Sequence, residues 1–464
     1  MNFASFPYLF FTLIVLFIYF QVNKKTKPLF LLLASYFFYS LFGFSFAALM
    51  LITTVITFVT SNYCYYSKSK VHQKLFFYLG LFLDLLIFIL FKYIHIIDID
   101  IMNWPNWSAQ KLLIPIGISF YTFKTIGYCI DIYKRKYAPE NSFIYYALSV
   151  SFFPQLIAGP IEKSHSISFQ LKQNDKFNIK NCLEGSKLIL WGLFKKIVIA
   201  DSIAQIINPV FGNITEYSGL DFVFALIGFT YQIYVDFSGY SDIALGSAKC
   251  FGVNLPANFN KPFFSKNYRE FWTRWHATFS KWLKEYIFDS LGGISKTNKL
   301  KTVFNIFILF LIVGLWHGAT LNYIIYAQLA FVFMLLDIIT KDFRKKLFPN
   351  RKSTLNKIMS YISIISLIII LSIFFRGASF NDSIYILKHI DSIHFQHLSL
   401  QNTLYILSYI LVFEFFQYFQ VSAEGHCFQG IQNFYLKSLM FIFMLFSILL
   451  LNSRPEVTFQ YFQF

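Results

Sequence analysis

The residues of this chain best suited to chemistry fall between Tyr231 and His317. His317 lies in Trp316-His317-Gly318-Ala319, at the turn between two apolar runs, Val303 to Leu315 and Leu321 to Ile339, with no charged residue between Lys301 and Asp337. A neutral imidazole can sit in such a place and is the side chain best suited to take a proton from a hydroxyl near neutral pH, so His317 is the candidate general base. A lone buried histidine also serves plain packing, and the spacing alone leaves that alternative open. His276 is the second candidate. It closes Arg269-Glu270-Phe271-Trp272-Thr273-Arg274-Trp275-His276, in which two arginines, a glutamate and three rings on helical spacing form a cationic and aromatic surface. An interfacial helix with snorkelling arginines accounts for Arg269, Arg274 and the tryptophans, and does not require His276.

Asp236-Phe237-Ser238-Gly239-Tyr240-Ser241-Asp242 directly follows the apolar run Leu220 to Val235. Ionisable groups in that setting are costly enough to imply a partner, a water cavity or a function. Read functionally, Asp236, Ser238, Tyr240 and Asp242, together with Arg269, Arg274 and Trp316, are candidate substrate-binding residues. The alternative is that an aspartate beside a Ser-Gly turn caps the next helix at the membrane interface. His389, His394 and His397 have a loose metal-like spacing, but no thiolate or strong carboxylate set stands beside them, so they read as a solvated loop and no metal site is expected. The five cysteines, Cys64, Cys129, Cys182, Cys250 and Cys427, are far apart and form no C-x-x-C pair, which argues against a disulfide framework or zinc.

The elements that must position these residues are membrane helices. The chain has 464 residues, 56% of them hydrophobic and only 14% charged, and the apolar ones gather into runs long enough to cross a bilayer core. The expected fold is all-α and polytopic, with about ten to twelve membrane helices at roughly 20 residues each, plus re-entrant or interfacial helices. No linker or composition break divides it, so residues 1–464 read as one membrane-embedded domain. The net charge of +17 would suit nucleic acid, yet the lysines and arginines sit mostly in short connections between apolar runs, where the positive-inside bias puts them. Nucleic-acid binding is therefore not expected, and the lipid bilayer is the expected surrounding.

Loop charges set the topology. Phe3 to Phe20 is a first span with Lys24, Lys25 and Lys27 behind it, which places Met1 outside and makes the segment an uncleaved span. Leu29 to Phe42 and Phe44 to Thr60 pair across Gly43, Leu75 to Phe91 leads to an acidic outer loop with Asp98, Asp100, Trp104 and Trp107, and Leu112 to Ile130 returns to Lys134-Arg135-Lys136. Phe143 to Pro160 is broken by Pro154, Gly159 and Pro160, and non-helical backbone at membrane depth must be shielded by protein or line a wet cavity. Leu188 to Ile199 holds Lys195 and Lys196, too polar for lipid, so it lies at the interface or packs inside. The basic loop Lys341 to Lys352 is cytoplasmic by the same rule. Ile358 to Phe375, Leu404 to Tyr418 and Leu436 to Leu451 complete the spans.

The stretches LLIPIGISFYTFKTIGYCIDIYKR (Leu112 to Arg135), SFFPQLIAGPI (Ser151 to Ile161), WGLFKKIVIAD (Trp191 to Asp201), QIYVDFSGYSD (Gln232 to Asp242), Asn258 to Gly293 and GLWHGA (Gly314 to Ala319) occur in this order over most of the chain. Together they resemble the membrane-bound O-acyltransferases, in the bacterial branch of alginate and peptidoglycan O-acetylation and teichoic-acid D-alanyl transfer. The resemblance implies a ring of membrane helices with a central tunnel, an essential histidine at His317 within its W-H-G signature, and a second marked position at His276. It further implies an acyltransferase of the bacterial cytoplasmic membrane. An acetyl group would come from a cytoplasmic thioester, with acetyl-CoA as the expected donor and an acyl carrier protein as the other. It would be passed to an extracytoplasmic polysaccharide, with an SGNH-like periplasmic O-acetyltransferase as the expected partner. The ending Tyr461-Phe462-Gln463-Phe464 resembles the acetylating members, and 61 Phe and 30 Tyr against 20 Gly suggest an AT-rich genome, which tilts the acceptor toward peptidoglycan over alginate. Two alternatives stay open: a D-alanyl transferase, and a transporter or flippase, which would also use broken helices and intramembrane polar groups but should show inverted repeats, and none is visible.

Overall fold

The computed structural model describes residues 3–93, 115–173, 176–295, 297–347, 353–419, 431 and 433–451. The outer loop with Asp98, Asp100, Trp104 and Trp107, residues 348–352 of the basic loop, Cys427 and the closing Tyr461-Phe462-Gln463-Phe464 lie outside them. Every regular element among the described residues is helical, because a chain in lipid has no water to satisfy its backbone and must bond it internally.

Packing groups the chain into two compact units, residues 1–189 with 243–256, and residues 190–242 with 257–464. The first unit contains α1 (Phe6–Gln21), α2 (Lys27–Ser40), α3 (Phe44–Tyr66), α4 (Lys70–Tyr93), α5 (Ile118–Tyr133), α6 (Phe143–Ser151), α7 (Ser164–Gln173) and most of α8 (Ile179–Leu193). Helix α3 packs against α2, α4, α5 and α6. Its buried face includes Thr53, Thr54, Thr57 and Thr60, short side chains that let neighbours approach and whose hydroxyls return to the helix's own carbonyls, as Thr57 does to Thr53 at 2.8 Å. Helix α4 buries only Gly80, Asp84, Phe88 and Lys92, one residue per turn, and turns its apolar face outward. That inside-out pattern is what lipid favours.

The break around Pro154 is sheltered by protein. After α6 the chain turns through Phe152 to Pro160, all buried. The Phe153 amide donates to Ser35 Oγ at 3.2 Å, Gln155 Nε2 donates to the Pro160 carbonyl at 2.6 Å, and the Lys124 ammonium on α5 donates to the Ser149 carbonyl left open at the end of α6. Shielding of irregular backbone by protein was the condition the sequence imposed.

The second unit begins with a π-helical turn, Phe194–Ala200, that runs into α9 (Asp201–Gly212). Then come α10 (Leu220–Cys250), which ends in the first unit, and the short α11 (Tyr268–Arg274) and α12 (Ala277–Leu283). They are followed by the hairpin α13 (Lys299–His317) and α14 (Leu321–Ile339), α15 (Lys341–Leu347), α16 (Thr354–Arg376), α17 (Phe380–His389), α18 (Leu400–Phe419) and α19 (Phe434–Leu451). Seven described helices, α3, α4, α10, α13, α14, α16 and α19, are long and apolar enough to cross a membrane, and α1 is a shorter apolar helix. The protein is a multi-pass, all-α membrane protein.

Two sequence expectations change here. The turn expected at Ser238-Gly239 is absent: α10 continues without a break for 31 residues. Gly239 is in fact a contact residue, since a Cβ there would lie 2.8 Å from the Gly192 carbonyl. The segment Arg269 to His276 does not form one helix either. Helix α11 ends at Arg274, and His276 adopts a left-handed backbone, φ 43° and ψ 49°.

Candidate active site

His317 is the last residue of α13, and the helix stops there because Gly318 follows at φ 151°, beyond what an L side chain accepts readily. Ala319 is also left-handed, so the hairpin turns within the residues that the W-H-G-A sequence marked. The His317 ring is buried in an aromatic shell, with the ring centres of Trp316 at 4.6 Å, Phe375 at 5.0 Å, Tyr326 at 5.7 Å and Tyr323 at 5.9 Å. Trp316 is on α13 itself, α14 supplies Tyr323 and Tyr326, and α16 supplies Phe375, so the hairpin and α16 together fix the imidazole.

His276 is held by a residue that the sequence reading did not single out. Asn258 Oδ1 lies 3.0 Å from His276 Nδ1, 2.9 Å from Thr278 Oγ1 and 3.4 Å from the Thr278 amide. A backbone amide can only donate, which identifies the Asn258 atom as the oxygen, and His276 Nδ1 must then carry the hydrogen. The basic nitrogen of His276 is therefore Nε2. Burial pushes this imidazole down to about 3 from its ordinary 6.5, so it is neutral at physiological pH. A neutral ring with this tautomer accepts at Nε2, which suits holding an N–H or hydroxyl of a reactant; donation to an oxyanion would have to come from another group. The local fold explains the arrangement. The Ala277 amide donates to the Asn258 carbonyl at 2.8 Å and the Asn260 amide to the Arg274 carbonyl at 3.0 Å, so the 258–260 strip is laced to the reversal at His276. A left-handed non-glycine residue is uncommon and persists where its surroundings over-determine it.

Both histidines line one cavity of about 60 Å³. That is room for about two waters, or for a group of acetyl size. Its other walls are mainly apolar and aromatic: Phe237 from α10, Trp272 and Trp275 from the α11 end, Phe279 from α12, and Phe375 from α16. Trp316 stands against both imidazoles, 6.2 Å from His276 and 4.6 Å from His317 between ring centres. The candidates thus divide. His317, His276 and Trp316 are brought together.

Asp236, Ser238 and Asp242 face elsewhere. Lys196 Nζ lies 2.8 Å from both Asp236 and Asp201, Lys195 Nζ lies 2.6 Å from Asp242 and 3.2 Å from Ser238 Oγ, and all four charged residues other than Asp201 are nearly inaccessible. Consecutive lysines can both reach α10 because the π-helical turn carries them around a wider ring than an α-turn would. The carboxylates cancel two buried charges and do not line the histidine cavity. Tyr240 is buried on the same helix, also outside the cavity lining. Arg274 is half-buried and paired with Glu270 at 2.6 Å, one turn back on α11, and Arg269 is exposed. The histidines near residue 390 stand apart from the cavity. Their segment's backbone amides, including His397 at 2.9 Å, donate to Asp221 at the start of α10, and His389 Nδ1 meets the Tyr385 carbonyl. Among the described residues no group of three His, Cys, Asp or Glu is placed to hold a metal.

The sequence profile of the MBOAT, membrane-bound O-acyltransferase family, matches residues 136–380, a span that contains Asn258, His276 and His317. The chain is similar to a peptidoglycan O-acetyltransferase of Helicobacter pylori, 32% identical over 396 residues that cover 79% of this chain and 74% of that protein. The chain belongs to the membrane-bound O-acyltransferase family. It is also similar to a probable alginate O-acetylase of Pseudomonas syringae, 35% identical over 70% of this chain and 64% of the relative. A teichoic acid D-alanyltransferase of Bacillus subtilis is 31% identical over 48% of this chain and 58% of that protein. Membership makes this an acyltransferase. Within that family the histidine cavity is the place to look for acyl transfer.

Proposed function

We propose that this O-acyltransferase takes an acetyl group from a cytoplasmic thioester and passes it across the bacterial inner membrane for O-acetylation of an extracytoplasmic polysaccharide, with peptidoglycan the favoured acceptor. The observation that carries the reading is the pair of histidines on one acetyl-sized cavity, in a chain whose similarity to a peptidoglycan O-acetyltransferase covers 79% of its length. His317 would take the proton of an acceptor hydroxyl as its oxygen attacks the thioester carbonyl. The C–S bond then breaks, an ester forms, and the proton leaves with the thiol. Neutral His276, fixed by Asn258, would hold a reactant N–H or hydroxyl through Nε2. Acetyl-CoA is the donor this reading expects. A periplasmic SGNH-like partner would complete delivery to the glycan. The basic loop beginning at Lys341 would face the cytoplasm and the N-terminus the outside.

His317→Ala tests it. Mass spectrometry of muropeptides from a strain carrying the variant should show O-acetylation lost while the protein's abundance in the membrane is unchanged; acetylation at the wild-type level would refute the assignment. A D-alanyl reading has support in the shorter match to the Bacillus subtilis enzyme. It requires that the same variant lose D-alanine esters on teichoic acid and leave muropeptides untouched.

A further inference from the structure

The second unit contains another cleft that the histidine chemistry does not use. It has a volume of about 730 Å³ and shares no residue with the cavity of His276 and His317. Its walls come from α11, the C-terminal end of α14, α15 and the first turns of α16. One side is apolar, through Phe333, Leu336, Met359, Ile364 and Leu367, and the rim is cationic, through Lys266, Arg269, Lys341, Arg344 and Lys357. Two carboxylates line it and both are spoken for. Asp337 accepts from Arg344 at 2.6 Å and from the Tyr268 amide at 3.2 Å, and Glu270 is paired with Arg274. Among the described residues that leaves Lys266, Arg269, Lys341 and Lys357 with no acidic partner around one opening.

Four unneutralised cations over an apolar wall define the chemistry of the occupant: a phosphate ester that carries hydrocarbon. We propose that this cleft binds an anionic phospholipid, its phosphate among the lysines and Arg269 and one acyl chain along Leu336, Met359 and Leu367. The positive-inside rule puts this rim on the cytoplasmic side, where anionic headgroups meet basic pockets between membrane helices. A soluble polyanion with no hydrocarbon, such as a nucleotide, would leave the apolar wall uncovered. The site bears on the chemistry through α11. Tyr268, Arg269, Glu270 and Thr273 face the cleft, whereas Phe271 and Trp272 face the histidine cavity, so one seven-residue helix is the wall between the two.

The test is native mass spectrometry of the full-length protein in detergent, titrated with phosphatidylglycerol or with zwitterionic phosphatidylcholine. Phosphatidylglycerol should be retained preferentially by the wild type. The triple variant Lys266→Gln, Lys341→Gln, Lys357→Gln removes exposed charges that hold no acidic partner among the described residues. It should weaken retention by about fivefold per lysine, on the order of 100-fold in all. Met359→Trp, which fills the apolar wall, should lower phosphatidylglycerol retention and leave binding of inorganic pyrophosphate unchanged. Equal retention by the triple variant, or no preference over phosphatidylcholine, overturns the proposal. So does displacement of the lipid by pyrophosphate or coenzyme A with Met359→Trp silent, which would assign the cleft to a soluble phosphate ligand.

Discussion

Helix α10 presents two neighbouring residues to two opposite kinds of environment. Asp236 meets Lys196 at 2.8 Å in a cluster where each buried charge has its counter-charge, and Phe237 meets the His276 ring at 4.8 Å in a cavity lined by rings, apolar side chains and two imidazoles, with no acidic or basic side chain in its lining other than the histidines. In the first place polarity is cancelled and the product is a fixed seam between helices. In the second, two imidazoles face one small space with no carboxylate in its lining. Cost in the membrane does not distinguish structure from chemistry, because both places are costly; cancellation by an opposite charge does.

The widest separation between the two regions should come from His317→Ala. If His317 is the general base proposed above, its loss should lower the proposed acetyl-transfer rate by about 10²–10⁴-fold, and membrane abundance should not change. Lys196→Met should do the reverse. It strands Asp236 and Asp201 without their shared cation, a loss of about 3–5 kcal/mol, read as lower abundance and lower thermal stability of the purified protein. The double variant Lys196→Met, Asp236→Leu should recover much of that loss. If Lys196→Met left the protein stable but inactive, the lysine cluster would belong to the chemistry and the comparison would break.

Smaller effects sharpen the cavity side. Asn258→Ala frees the His276 ring and should lower the rate by about 10-fold, whereas Asn258→Asp keeps an acceptor at Nδ1 and should retain activity with a pH–rate profile displaced by the new charge. A purely structural Asn258 would lose stability in both variants and shift no profile. The smallest effect is on stability against pH. His276 is held neutral down to about 3, while in the unfolded chain it takes up a proton near 6.5, so the unfolded state binds more protons between those values. Stability must then fall as pH drops through that window, by at most about 1.4 kcal/mol per pH unit. His276→Gln should flatten the slope there in thermal denaturation of the detergent-solubilised protein.

Much of the candidate site was legible in the sequence where a local pattern marked it. Trp316-His317-Gly318 announces a histidine at a forced helix end, and the structure places it at one. His276 stood out because an interfacial helix had no use for it. What the sequence hid depends on partners distant along the chain. Asp236 and Lys196 are 40 positions apart, and nothing local shows that they neutralise each other, so the aspartates read equally well as substrate contacts or caps. Ser238-Gly239 read as a turn because glycine marks turns more often than it marks close helix packing. Asn258 lay inside a stretch that carried the family resemblance, yet its role needs a triad of donors, His276, Thr278 Oγ1 and the Thr278 amide, that only the folded reversal assembles.

The π-helical turn at Phe194–Ala200 holds one residue more than an α-helix turning through the same angle. Deleting one residue there would let the segment close as an ordinary α-helix with the helices on either side still in register. The loss would be local: without the wider ring Lys195 and Lys196 could no longer both face α10, and Asp236 or Asp242 would be left buried without its cation. A frame-preserving deletion in this turn should therefore act as the loss of one buried lysine, and natural length variation should avoid these seven residues.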